Sequence, residues 1–162
     1  MPSARHLALF VLALTLPATH PAAAHNDGYE WPEGSAMHSI QLESERLDAG
    51  LAALDEAHAS LMDAMTGNEA RSPSALAQAV ATHHEKWLAY TQADCELAGT
   101  LTGAGASWPI VHGLGCHAQA VEERLEIVRS ATACLQQLDA GAPDFDRLEC
   151  LQGLAAWSMQ PG

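Results

Sequence analysis

The sequence predicts an all-α protein: a small antiparallel bundle of three main helices plus a short C-terminal helix, stapled by two disulfides. Three observations carry that prediction. Apolar residues recur at steps of three, four and seven along three long segments, the seam spacing of bundle helices. No segment alternates apolar and polar residues as a strand would. Four cysteines, Cys95, Cys116, Cys134 and Cys150, form an even set in a chain that carries an export signal.

Residues 1–24 read as a signal peptide. Arg5 and His6 precede an apolar run from Leu7 to Leu16 that is too short to span a bilayer. Pro17 and Pro21 break the run, and Ala22-Ala23-Ala24 supplies small residues for cleavage before His25. No cysteine stands at that point to receive a lipid anchor, and no later run suits a membrane span. The expected product resides in the bacterial periplasm or outside the cell. Its 138 remaining residues suffice for one domain with a real core.

Residues 25–34 carry turn formers without periodicity and form an N-terminal lead-in. The helical domain occupies 35–158. Ser35 caps a first helix that runs to Thr66, with Gly67 as its stop. Its stripe is Ile40, Leu47, Leu51, Leu54, His58, Leu61 and Met65, flanked by acids. Ser72-Pro73 opens a second helix with a cap and a proline at the first helical position. There the stripe is Leu76, Val80, His83, Trp87 and Tyr90, and Gly99 follows the last turn. The short link between these helices predicts antiparallel packing. Gly99 to Pro109 reads as a loop of glycine and small residues. A third helix is expected from Gly115 to Leu138, with Ala118, Val121, Leu125, Val128, Thr132 and Leu135 on one face. A closing helix over 144–158 uses Leu148, Leu151, Leu154 and Trp157.

Four cysteines allow three connectivities. Pairing of sequence neighbours, Cys95 with Cys116 and Cys134 with Cys150, is the natural expectation. It would pin the second helix to the third across the glycine loop and tie down the closing helix. Each closed loop of roughly 15–20 residues is worth on the order of 3 kcal/mol in the chain-entropy estimate. Zinc is the competing use of cysteine, but no pair has the close spacing of structural zinc sites.

Charge is the other global signal. Without the signal peptide, six Lys and Arg stand against twenty Asp and Glu, a net charge of −14, and Lys86 is the single lysine. Nucleic acid and anionic lipid are disfavoured as partners, while a basic macromolecule would be steered toward this surface. The plainer reading is that acidity keeps an exported protein in solution.

Trp87 and Tyr90, then Asp94-Cys95, then a loop with Gly103 and Gly105, then Cys116 with Arg124 eight positions later and Leu125 beside it, resemble the LprI-like lysozyme inhibitor family in its N-terminal domain. The likeness covers Ser35 to Leu138. Members are small exported helical proteins, and one branch inhibits lysozyme. The resemblance therefore implies a binding protein that performs no chemistry, with a basic protein such as lysozyme as partner. Two features depart from the family. Thr91-Gln92 stands where an Arg-Asp pair is common, and Cys134, Cys150 and the last helix lie outside the core pattern. Lysozymes are usually strongly basic, so the acidity of this chain supports the same partner, chiefly through association rate. Asp94, Glu96 and Trp108, near the glycine loop, are the expected contact residues.

The residues also have plainer readings. Trp87 and Tyr90 at helical spacing are expected in the core. Arg124 is expected to pair with an acid on a neighbouring helix and fix its register, ligand binding being the alternative. His83 and His84 diverge by about 100° on a helix and cannot share a metal. His112 and His117, five apart, miss the useful i, i+4 spacing. The alternative function is metal binding or another envelope-associated role. A free N-terminal His25 could chelate copper, with His38 folded against it, and zinc is also possible. No cofactor is expected. No nucleophile elbow, H-E-x-x-H or C-x-x-C motif is present, so the sequence predicts no enzyme.

Overall fold

Two serines open the first two helices. Ser35 Oγ accepts from the His38 amide at 3.2 Å, and Ser74 Oγ accepts from the Ala77 amide at 3.2 Å. Each bond satisfies an amide that a helix start leaves without an internal partner. The structure, a computed structural model, describes residues 31–66, 74–139 and 141–155. The expected signal peptide (residues 1–24), His25, Gly67, Ser72-Pro73 and Trp157 lie outside them. Ser35 is the cap the sequence singled out; the second cap is Ser74, two residues beyond the expected one.

The elements are α1 (Ala36–Thr66), α2 (Ala75–Leu101), α3 (Trp108–Gln137) and α4 (Asp144–Leu151), the last extended by a 3₁₀ turn over Gln152–Leu154. No strand occurs among the described residues. The all-α expectation is met, as is the division into three main helices and a short closing one. Both cysteine pairs join sequence neighbours, Cys95–Cys116 and Cys134–Cys150, each with Cα atoms 5.5 Å apart.

Helix boundaries around the glycine loop differ from the sequence reading. α2 runs through Gly99 to Leu101, and α3 starts at Trp108 rather than Gly115. Pro109 falls in the first turn, where a missing N–H costs no helical bond. Gly99 and Gly113 were expected outside helices, yet both sit within them because two backbones meet there. The closing helix is shorter than expected, ending at Leu151 before its 3₁₀ turn.

α3 is the hub. It buries nine residues where α1 buries three, and α1 and α2 each pack far more on α3 than on one another. α1 lies parallel to α3: Glu43 reaches Gly115, Gly50 faces Val121, and Met65 shares a cavity with Leu135. α2 runs antiparallel to both. Leu54, Leu61, Val121 and Val128 are fully buried between α1 and α3. Each contributes about 1.5–3 kcal/mol relative to exposure. Outside this core, Arg46 of α1 donates from Nε to Glu122 Oε1 of α3 at 2.7 Å and from Nη1 to Glu43 Oε2 at 3.2 Å.

The α2 stripe lies one position away from the expected one. The residues buried against the bundle are Ala77, His84, Thr91, Cys95 and Gly99. Val80 and Trp87 pack partly against the core, but Leu76 and His83 are exposed and line a shallow groove with Leu148 and Leu154. Tyr90, expected in the core, is 69% exposed; among the described residues, α4 and its 3₁₀ turn meet that face only near Leu76, Val80 and His83. Leu97 and Leu101 continue the same uncovered stripe toward the loop.

Candidate binding surface

At one end of the bundle, α2 and α3 approach until their backbones touch. A Cβ on Gly99 would overlap the Pro109 carbonyl oxygen and lie 2.8 Å from the Gly113 nitrogen. A Cβ on Gly113 would lie 3.2 Å from the Cys95 carbonyl oxygen. Cys95–Cys116 bonds the same two helices at this level. The connecting loop is ordered by its own bonds. Thr102 Oγ1 donates to the Gly99 carbonyl at 2.7 Å and accepts from the Ala104 amide at 3.3 Å. Gly103 turns the chain with φ 66°, in the left-handed region where a Cβ is costly, and Ala106 enters the same region at φ 53°. Gly105 accepts from the Trp108 amide at 3.3 Å as α3 begins.

The three expected contact residues surround this end but do not form one patch. Asp94 and Glu96 are both exposed on α2, two positions apart and so on different sides of the helix. Trp108 is 39% exposed at the start of α3, with its ring 6.4 Å from the His112 ring. Glu96 faces a groove of about 480 Å³ between the three helices, whose apolar lining includes Leu47, Leu51, Gly113 and Leu114. His117 also lines the groove. It is 9% exposed, and its Nε2 has no hydrogen-bond partner. Burial pushes the His117 imidazole below its usual value, and the nearby Glu96 carboxylate partly opposes the shift. The ring is therefore neutral at pH 7.

A second polar cluster crosses the middle of the bundle. Arg124 of α3 is buried, 6% exposed. Its Nη1 donates to the Leu154 carbonyl at 2.7 Å, its Nη2 lies 3.2 Å from His83 Nδ1, and its guanidinium lies 5.4 Å from the Trp87 ring centroid. The expected acid partner is thus replaced by a carbonyl, an imidazole and an aromatic ring. Arg124 fixes the end of the closing segment rather than the register of two long helices. Burial lowers its affinity for the proton, as it does for His83, where the Arg124 charge adds to the effect. On the neighbouring side, His58 of α1 stacks on His84 of α2 with centroids 3.9 Å apart and planes 14° apart. His84 Nε2 lies 4.0 Å from Asp55 Oδ1, at the limit of an ion pair. Burial, His58 and Arg124 together push His84 down to about 4, against an opposing pull from Asp55. His58 is lowered by burial and Arg124 in the same way.

The motif residues therefore divide among three places. Cys95, Cys116, Gly103 and Gly105 shape the hinge, while Trp87 and Arg124 build the middle cluster. Tyr90 and Asp94 stand on the exposed face of α2. The four residues of greatest structural consequence that the sequence reading did not single out for a site are Gly99, Gly113, His84 and His117. Glycines fourteen apart across a loop are the signal for the first two, whereas His84 and His117 fall off the apolar stripes and leave none. Among the described residues no group of three or more His, Cys, Asp or Glu is placed to hold a metal ion. His38, the candidate copper ligand inside the described range, is half-buried in the first turn of α1. No described helix is long and apolar enough to cross a membrane. Comparison of the chain with protein-family models, curated proteins and solved structures finds no match in any of the three.

Proposed function

We propose that this chain is an exported acidic binding protein that inhibits lysozyme, by occluding the cleft of a basic glycosidase with an anionic surface. The observation that carries the reading is the large excess of acid, seven Lys and Arg against twenty Asp and Glu over the whole sequence, on a scaffold cross-linked by two disulfides. Opposite charge accelerates encounter, and a cross-linked scaffold loses little conformational freedom on binding. Disulfides persist in oxidising compartments, which agrees with residence in the periplasm or outside the cell. The resemblance of Trp87, Tyr90, Asp94, Cys95, Cys116 and Arg124 to the LprI-like pattern points to the same partner. No chemistry is assigned to the protein.

Binding and lysis assays against a panel of lysozyme classes test the reading. A stoichiometric complex that weakens with salt, together with slower cell-wall lysis, is the expected result for at least one class. No complex with any class, at low ionic strength and with both disulfides intact, removes lysozyme as the partner.

A further inference from the structure

The groove beside the Cys95–Cys116 bridge has a chemistry more specific than general acidity. Its floor is aliphatic, supplied by Leu47 and Leu51 of α1 and Leu114 of α3, with Gly113 keeping the wall between α2 and α3 thin. Among the described residues lining it, Glu96 is the single charged one. Its carboxylate accepts from the Gln92 side chain at 2.9 Å, and no cation stands against it among the described ion pairs. His117 adds a neutral imidazole, nine-tenths buried, with Nε2 unpartnered. The bridge holds these two polar groups in register, because each directly follows one of its cysteines. A volume of about 480 Å³ falls within the range of small-ligand sites.

We infer that this groove receives a lysine side chain of the basic partner, its methylenes against Leu47, Leu51 and Leu114 and its ammonium against Glu96. The inference rests on the proposed partner being a basic protein and assigns the acidic surface a specific anchor. A long aliphatic stem ending in a compact cation matches the groove on both counts: the stem removes apolar surface from water, and the head keeps a charged partner. A carboxylate ligand would meet Glu96 as a like charge. A purely apolar ligand would leave Glu96 without a counter-ion. His117, which burial keeps uncharged, sets no like charge against an ammonium there.

The test uses n-hexylammonium as a probe of the intact, disulfide-bonded protein, followed by amide chemical shifts in ¹H–¹⁵N spectra. The expected result is saturable shifts centred on Glu96, Gly113, Leu114 and His117, with a Kd on the order of 1 mM. Hexanoate should give none, and Glu96→Gln should weaken the probe at least about threefold. Absence of shifts overturns the inference. Equal binding of hexanol, or a Glu96→Gln protein that binds the ammonium as well as the native one, also overturns it. The lysozyme panel is a separate readout. Probe binding with no lysozyme complex supports the cation groove and removes lysozyme as the source of the side chain. A lysozyme complex unaffected by Glu96→Gln, with no probe binding, does the reverse.

Discussion

The two disulfides close loops of similar length, yet they sit in regions held together in different ways. At the α2–α3 hinge, backbone lies on backbone: Gly99 meets Pro109 and Gly113, and Cys95–Cys116 adds a covalent bond to an interface already closed by steric fit. At the other end, α4 is a helix of eight residues tethered to α3 by Cys134–Cys150 and by the bond from Arg124 to the Leu154 carbonyl. There the ties are side chains, and one of them is a buried cation. The same kind of cross-link therefore reinforces a backbone contact in one place and a side-chain contact, shared with the buried Leu151 and Leu154, in the other. Sequence separations of 21 and 16 give nearly equal chain-entropy contributions, so that term cannot distinguish the two. Packing can.

The largest expected effect is at the hinge. Gly99→Val should lower stability by about 3 kcal/mol or more, since its side chain would have to displace backbone rather than a flexible neighbour. Gly153→Ala, with a Cβ 3.7 Å from Ile127 Cγ2, is the control at the other end and should be nearly neutral. Urea denaturation reads both, and equal costs would break the comparison.

Removing each bridge by paired Cys→Ser changes should cost on the order of 3 kcal/mol in global stability by the chain-entropy estimate. The distinction lies in where hydrogen exchange rises. Loss of Cys134–Cys150 should raise it first over Asp144–Leu154, while loss of Cys95–Cys116 should raise it evenly over α2 and α3. Selective fraying of the hinge in the second variant would contradict the steric account.

Acid probes the polar middle. His58 and His84 have folded-state proton affinities below the unfolded value, so the unfolded chain binds more protons as pH falls. Stability is then full above about pH 6.5 and declines toward pH 4, where His84 titrates in the fold. The loss is on the order of 2–3 kcal/mol, and His84→Leu should flatten the profile across that window. A native profile that rises toward pH 4 would refute the stacked neutral pair. The smallest effect has the opposite sign. Ala106→Gly should stabilise by roughly 0.5 kcal/mol, because it relieves a left-handed alanine in the hinge loop.

Much of this architecture was legible from residue order. α1 announced itself because Leu47, Leu54 and Leu61 are large, apolar and spaced by seven, and Ser35 marks its start. The existence of α2 is legible, but its apolar pattern points to the wrong face. Its bundle-facing residues, Ala77, Thr91 and Gly99, carry weak hydrophobic signal, whereas Leu76 and Tyr90 carry strong signal and face outward. Gly99 and Gly113 look like helix stops until the opposing backbone is known. Arg124 stood out in the motif, but its main acceptor is a main-chain carbonyl thirty residues away, which leaves no mark on composition. The divergence of His83 and His84 was a sound inference about one helix. It could not reveal that His84 would find His58 on another. The groove is equally hidden in the sequence, because its lining comes from three helices and of those residues only Glu96 is an expected contact.

A guanidinium has hydrogens to give and no lone pair to offer. The 3.2 Å approach of Arg124 Nη2 to His83 Nδ1 therefore obliges that nitrogen to accept and leaves the hydrogen of the ring on Nε2. The imidazole is confined to one tautomer by a neighbour that cannot reciprocate. Its ¹⁵N resonances should report a bare Nδ1 at neutral pH, and Arg124→Met should return the ring to a mixture of both forms.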